Sequence, residues 1–148
     1  FGGRLQASAD GGESWEFATG EIVPIALVSH PALVSVLYAA APNGLKISED
    51  RGDTWRSLSP QLDGGAVTAL AVDGSNPASL LVFSETLGGL AKSSDGGTTW
   101  RSIPERFDGS VVVHLAISKN NQDTAYALTG QNAIYKSTDG GHSWTQLR

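Results

Sequence analysis

The sequence predicts an all-β chain, a β-propeller of four-stranded antiparallel blades, on three observations. One motif, S-x-D-x-G-x-[ST]-W, occurs four times. Its aspartates, Asp10, Asp50, Asp95 and Asp139, stand 40, 45 and 44 residues apart. The stretches between the copies repeat the same order of short apolar runs and turns. Four short strands in a unit of about 44 residues is the period of propeller blades.

The motif copies are Ser8 to Trp15, Ser48 to Trp55, Ser93 to Trp100 and Ser137 to Trp144, and they hold all 4 tryptophans of the chain. Between them, Val67 to Val72 lines up with Val112 to Ile117 and, more loosely, with Val23 to Val28. A polar turn follows in each unit: Asp73 to Pro77, Ser118 to Asp123, or the shorter Ser29 to Pro31. A second apolar run comes next, at Val34 to Tyr38, Leu80 to Phe83 and Thr124 to Leu128. A Gly- or Asn-containing turn then leads through Leu45 to Ile47, Leu90 to Lys92 or Ile134 to Lys136 into the motif. Each unit thus carries strands a, b, c and d.

The boundaries read as a half blade over 1–21 and blades over 22–65, 66–110 and 111–148. Three and a half blades do not close a ring, which needs roughly four to eight. A second copy, a partner segment or a longer chain would complete it, and two copies would give seven blades by strand count. The absence of methionine, even at position 1, and the mid-blade start favour a piece of a larger ring; a removed signal peptide would also explain the missing methionine.

Composition narrows the function. The 148 residues are 40% hydrophobic and 17% charged with a net charge of -5, a soluble globular balance without the basic patch a nucleic acid requires. With no cysteine there is neither a disulfide framework nor a thiolate metal site. The apolar stretch from Ile22 to Pro42 approaches the ~20 residues that cross a bilayer. Pro24 and Pro31 would break such a helix, and the repeat reads it as two strands joined by a turn, so no membrane span is expected.

The motif itself reads as structural. Its aspartate opens the turn between strands c and d, where a carboxylate accepts backbone N–H bonds. The glycine allows positive φ in a tight hairpin. The hydroxyl before the tryptophan hydrogen-bonds back across the loop, and the tryptophan buries its ring between neighbouring strands. The alternative, calcium ligands or catalytic acids, would scatter four carboxylates around a ring, which no single site needs. Asp10, Trp15, Asp50, Trp55, Asp95, Trp100, Asp139 and Trp144 are therefore expected to hold the fold.

With these residues the chain resembles the Asp-box superfamily, also called bacterial neuraminidase repeats. That superfamily includes sialidases, xyloglucan-degrading glycoside hydrolases, sortilin-type receptors and photosystem II stability/assembly factors. The unit Val67 to Ile103, with its Asn76-Pro77 turn and the Ser93 to Trp100 box, looks most like the sortilin, xyloglucanase and assembly-factor group. The resemblance implies a propeller over essentially the whole chain and, since most members act outside the cytoplasm, a secreted or periplasmic setting.

It also implies where a site would lie: on the face opposite the boxes, where the b–c and d–a loops emerge. A sialidase-like site needs three arginines, a Tyr–Glu pair and an acid. Arg51 falls in a box turn, Arg56 and Arg101 follow box tryptophans, and Arg148 is terminal. Only Arg106 falls in a d–a loop, while Tyr38, Tyr126 and Tyr135 sit in apolar strand patterns. Glycoside hydrolysis needs two carboxylates about 5 to 9.5 Å apart, and the open face offers Glu21, Asp63, Glu85, Glu105 and Asp108, each also readable as a solvated loop charge. Glu85 and Glu105 belong to loops of one blade. Phe107 is either an exposed contact or a plug between blades. His30 and His142 fall in turns, and His114 either lines the central channel or packs within the blade. No metal or cofactor is expected.

The expected function is a non-catalytic scaffold or protein-binding module, with Glu85, Glu105, Arg106 and Phe107 as candidate contacts. The partner would be another protein or a second copy of the chain. The alternative is a portion of a sialidase-like or xyloglucanase-like glycoside hydrolase, with carbohydrate as ligand.

Overall fold

The computed structural model describes residues 5–19 and 21–147. Fourteen strands in those residues form one two-stranded and three four-stranded antiparallel sheets. The half sheet pairs β1 (Gln6–Ala7) with β2 (Glu16–Phe17). The first full sheet runs β3 (Ala26–Ser29), β4 (Leu37–Ala41), β5 (Gly44–Ser48) and β6 (Arg56–Ser57). The second runs β7 (Val67–Val72), β8 (Leu80–Ser84), β9 (Gly89–Ser93) and β10 (Arg101–Ser102). The third runs β11 (Val112–Ile117), β12 (Ala125–Thr129), β13 (Ile134–Ser137) and β14 (Thr145–Gln146). In every full sheet each strand pairs with the next in sequence, the up-and-down order of a propeller blade.

The sheets stack face on face, and each interface is a core. Tyr38, Leu45, Leu62, Val67 and Val82 fill the space between the first and second sheets. Leu81, Leu90, Phe107, Leu115 and Tyr135 fill that between the second and third. Ala69, Ala71, Ala125 and Ala127 are buried in the second junction, small enough to let the pleated faces approach. The inner strands β7 and β11 carry matching bulges, between Val67 and Ala69 and between Val112 and His114, which sharpen their twist.

Two strands lie later than the apolar pattern places them. β3 begins at Ala26 rather than Val23 because Pro24 has no N–H to give a ladder. β4 begins at Leu37: Val34, 87% exposed, belongs to the preceding turn, closed by Val36 N–H on the Leu33 carbonyl. His30 stabilises that turn, its Nδ1 accepting the N–H groups of Ala32 and Leu33 at 3.1 and 3.0 Å. The stretch from Ile22 to Pro42 forms strands and a turn, and no helix among the described residues is long and apolar enough to cross a membrane.

Candidate functional site

The four boxes are built alike. In each, the aspartate accepts the N–H and the hydroxyl of the residue before the tryptophan: Ser14, Thr54, Thr99 and Ser143. Those bonds are the main reason the box carboxylates lie below the usual range, at about 2 for Asp50 and Asp95. Asp10 and Asp139 are lowered for the same reason, led by the hydroxyls of Ser14 and Ser143.

The serine that opens each box does work that its sequence position alone did not reveal. Ser48, Ser93 and Ser137 donate to the aspartate at 2.8 Å and accept the N–H of the box glycine at 2.8 to 2.9 Å. Tryptophan Nε1–H closes the loop onto the same glycine's carbonyl at 2.9 to 3.1 Å. The rings are less buried than expected: Trp55, Trp100 and Trp144 are half-buried and Trp15 is 60% exposed. Each ring lies along its own loop, held by the Nε1 bond, rather than wholly between sheets.

The residue after the aspartate ties the box to its own sheet. Arg51, Gly96 and Gly140 donate N–H to the carbonyls of Ser35, Ala78 and Asp123 in the a–b turns. Arg51 takes φ 66° there, a left-handed conformation filled by glycine in the other boxes.

On the opposite face the loops reach from one sheet to the next. Phe107, 1% exposed, is the plug: its ring meets Tyr135 at 5.0 Å and Trp144 at 5.6 Å, both edge-on. It therefore leaves the set of candidate surface contacts. Leu62 plugs the preceding junction in the same way, fully buried in a 3-10 turn. Ile22, Leu62 and Phe107 each stand seven residues after a box tryptophan, a spacing that would have marked the plug in advance.

The Phe107 loop is strained and braced. Phe107, Asp108 and Gly109 all have positive φ, at 43°, 53° and 80°. Glu105 Oε1 caps the N–H groups of Arg106 and Phe107, and Asp108 Oδ2 accepts the Tyr135 hydroxyl at 2.8 Å. That bond, with burial and the charges of Asp108 and Glu105, raises the Tyr135 hydroxyl above its ordinary range.

The other open-face carboxylates are similarly occupied. Glu85 Oε2 accepts Ala66 N–H at 3.1 Å. Asp63 binds Lys46 Nζ at 3.2 Å and Ser57 Oγ at 2.9 Å. Glu85 thus ties its loop to the segment entering β7, while Glu105 serves its own loop. Thr86 adds a cross-tie, its hydroxyl donating to the Leu62 carbonyl at 3.3 Å. Glu21 and Arg106 stand exposed, and Glu21 borders a cleft of about 530 Å³ with Ile22, Asn43, Lys46 and Trp55.

The arginines do not form a carboxylate clamp. Arg51 lies on the box face, Arg56 pairs with Glu49 at 3.1 Å, and Arg101 lies on β10. Arg148 lies outside the described residues. Tyr38 and Tyr135 are buried, whereas Tyr126 is half out of the third sheet. His114, expected to pack or line a channel, is exposed on β11. Among the described residues no three His, Asp or Glu side chains gather as a metal-binding group.

Comparisons with known proteins agree with this architecture. The family model for sortilin, neurotensin receptor 3, matches residues 88–148, which hold the last two boxes. No curated protein matches the sequence. Among solved structures, an ancestral GH74 enzyme superposes with a TM-score of 0.74 at 19% identity, over 97% of this chain and 21% of its own. A GH74 enzyme of Niastella koreensis gives 0.63 at 24% identity, over 87% of this chain and 21% of its own. YCF48 bound to D1 peptide gives 0.58 at 19%, over 82% of this chain and 44% of its own. At these identities the likeness is one of fold, and the chain spans between about a fifth and under half of those proteins. The resemblance to Asp-box propellers holds.

Proposed function

We propose that the chain is a non-catalytic propeller segment that binds a protein through its open-face loops, outside the cytoplasm. One observation carries this reading: of the five open-face carboxylates, Asp63, Glu85, Glu105 and Asp108 are hydrogen-bonded within the protein. A hydrolytic pair needs one carboxyl free to protonate a leaving group and another free to attack or activate water. Here the carboxylates instead brace a stiff loop surface, and rigid loops lower the ordering cost of binding. One of the similar structures is a propeller in complex with a peptide.

The contact surface is Arg106 with the exposed rim of the Glu85 and Glu105 loops. The test is a displayed library of extended peptides enriched on the wild-type chain and counter-screened on Arg106→Glu. Loss of binding with an unchanged melting temperature supports the site; peptides that bind both forms equally defeat it.

A second reading has its own observation, since two of the similar structures are GH74 enzymes. On that reading the segment contributes to a glycoside hydrolase, and Glu21 beside Trp55 is its available carboxylate. Turnover of xyloglucan oligosaccharides by the complete protein, abolished by Glu21→Gln, would favour the hydrolase over the binding module.

A further inference from the structure

Two junctions, between the first and second sheets and between the second and third, carry the same cleft with different side chains around it. Aligned on their box serines, Ile47 stands where Lys92 does, Glu49 where Ser94 does, and Arg56 where Arg101 does. The strand pairing agrees: Ile47 lies opposite Arg56 on β5 and β6, and Lys92 opposite Arg101 on β9 and β10. Residues directly opposite in an antiparallel pair share a face of the sheet. Ile47 is buried in the junction with the second sheet, and Lys92 Nζ donates to the Gly140 carbonyl of the third sheet's box at 2.7 Å. Both arginines therefore stand on the side that faces the following sheet.

The two clefts differ in what occupies them. In the first, Glu49 Oε2 accepts from the Arg56 guanidinium at 3.1 Å, and about 100 Å³ remains beside Ile47, Thr54 and Trp55. In the second, a serine replaces that glutamate and a lysine replaces that isoleucine. The cleft there holds about 510 Å³, bordered by Lys92, Ser94, Arg101 and, from the third sheet's box, His142. Arg101 is exposed, and among the described residues no carboxylate forms an ion pair with it or with Lys92. Asp95 borders the same cleft, but its oxygens are engaged by Ser93 and Thr99. From one cleft to the next an anion is lost and a cation gained, in a chain whose net charge is -5.

We propose that this cleft binds a glutamate side chain from an acidic segment of a partner protein, its carboxylate taking the place that Glu49 fills in the first sheet. The fold itself supplies the template, because the occupant at the equivalent place is a carboxylate on a side chain of that length. Arg101 offers its planar fork, which matches a carboxylate. Lys92 Nζ gives one proton to Gly140 and has two more to donate. The cleft lies on the box side, opposite the open-face loops, so this inference stands apart from the function proposed above.

The test is fluorescence anisotropy of a labelled oligoglutamate peptide titrated with the protein, with an oligoglutamine peptide as the uncharged control. The wild type is expected to bind the first and not the second, more weakly as salt rises. Arg101→Gln removes the fork. Ser94→Glu rebuilds the first sheet's ion pair and should fill the cleft from within, at a box position where Glu49 shows glutamate to be compatible with the fold. Each is expected to weaken binding by at least about threefold, the scale of an exposed ion pair, without lowering the melting temperature. Lys119→Gln, which removes a charge from an exposed turn elsewhere, should leave binding unchanged. A wild type that binds neither peptide overturns the proposal, as does oligoglutamate binding indifferent to Arg101→Gln and Ser94→Glu. An equal loss in Lys119→Gln would reduce the effect to overall charge and overturn it too. So would an oligogalacturonate that binds more tightly than oligoglutamate and is lost with the same two variants, since the occupant would then be an acidic carbohydrate.

Discussion

Replacing Phe107 by alanine tests the account of the open face at its most specific point. The ring is almost fully buried and makes edge-on contacts with Tyr135 and Trp144. Truncating a buried phenylalanine costs about 3–5 kcal/mol, and each favourable aromatic pair is worth ~0.5–1.5 kcal/mol beyond its area. Those contacts put the loss in the upper part of that range. Against it stands the strain in the loop, since Phe107 and Asp108 both hold positive φ. A non-glycine residue in that region costs about 1–2 kcal/mol, and part of this is released once the plug no longer pins the turn. The net expectation is a loss of about 3–4 kcal/mol. Urea unfolding followed by tryptophan fluorescence reads it directly, because Trp144 borders the lost ring. With a slope of roughly 2 kcal/mol/M the midpoint should fall by about 1.5–2 M. Glu105→Ala, which removes a carboxylate cap from two N–H groups, should cost only about 1 kcal/mol. A Phe107→Ala protein within about 1 kcal/mol of wild type would show that the side chain sits at the surface, not in the junction.

Two further outcomes follow from the loops. Because the folded box aspartates Asp50 and Asp95 titrate at about 2, below the unfolded value of about 3.9, their contribution is complete above that value and lost as pH falls through the folded one. The melting temperature should therefore decline between about pH 4 and pH 2, less steeply in Asp95→Asn, and a flat profile there would contradict the box geometry. At Gly44, φ is 110° and an added Cβ would lie 2.7 Å from Asp63 Oδ1 and 3.0 Å from the Leu62 carbonyl. Gly44→Ala should cost more than about 2 kcal/mol by melting, against ~1 kcal/mol for Gly64→Ala, which has φ 92° and open space; equal losses would mean that the close approach is not there.

What the sequence made legible was whatever recurs in residue type from one repeat to the next. The boxes, their hydroxyl-to-aspartate bond and the four-strand order all follow from spacing and turn chemistry. Part of what it concealed depends on the neighbouring repeat, and part on backbone groups within the same one. An apolar residue in a polar loop, such as Phe107, suits either solvent contact or a plug until Tyr135 and Trp144 are known to border the junction. Glu85 and Glu105 looked available because a carboxylate's loop partners are backbone N–H groups, which carry no residue identity. The limits of β3 and β4 were obscured by apolar residues in a turn, where Val34 and Leu33 are exposed and His30 supplies the acceptor. The box serine was visible four times over, but its pairing with the glycine N–H emerges only once the loop is folded.

The two faces differ in how they would be inherited. The box loop of each four-stranded sheet finds a backbone partner in the a–b turn of that sheet, at Ser35, Ala78 and Asp123. A tandem duplication of one unit would therefore copy those backbone ties intact, leaving only side-chain contacts such as Lys92 to Gly140 and Trp100 to Ser59 to be remade with the neighbours. The open face also ties its loops to the neighbouring units: Thr86 needs the Leu62 carbonyl of the unit before it, and Asp108 needs the Tyr135 of the unit after. Every added or deleted unit would have to renegotiate those ties. Lineages of such chains should accordingly keep their boxes nearly constant while their open-face loops diverge, so that new recognition arises where the units meet.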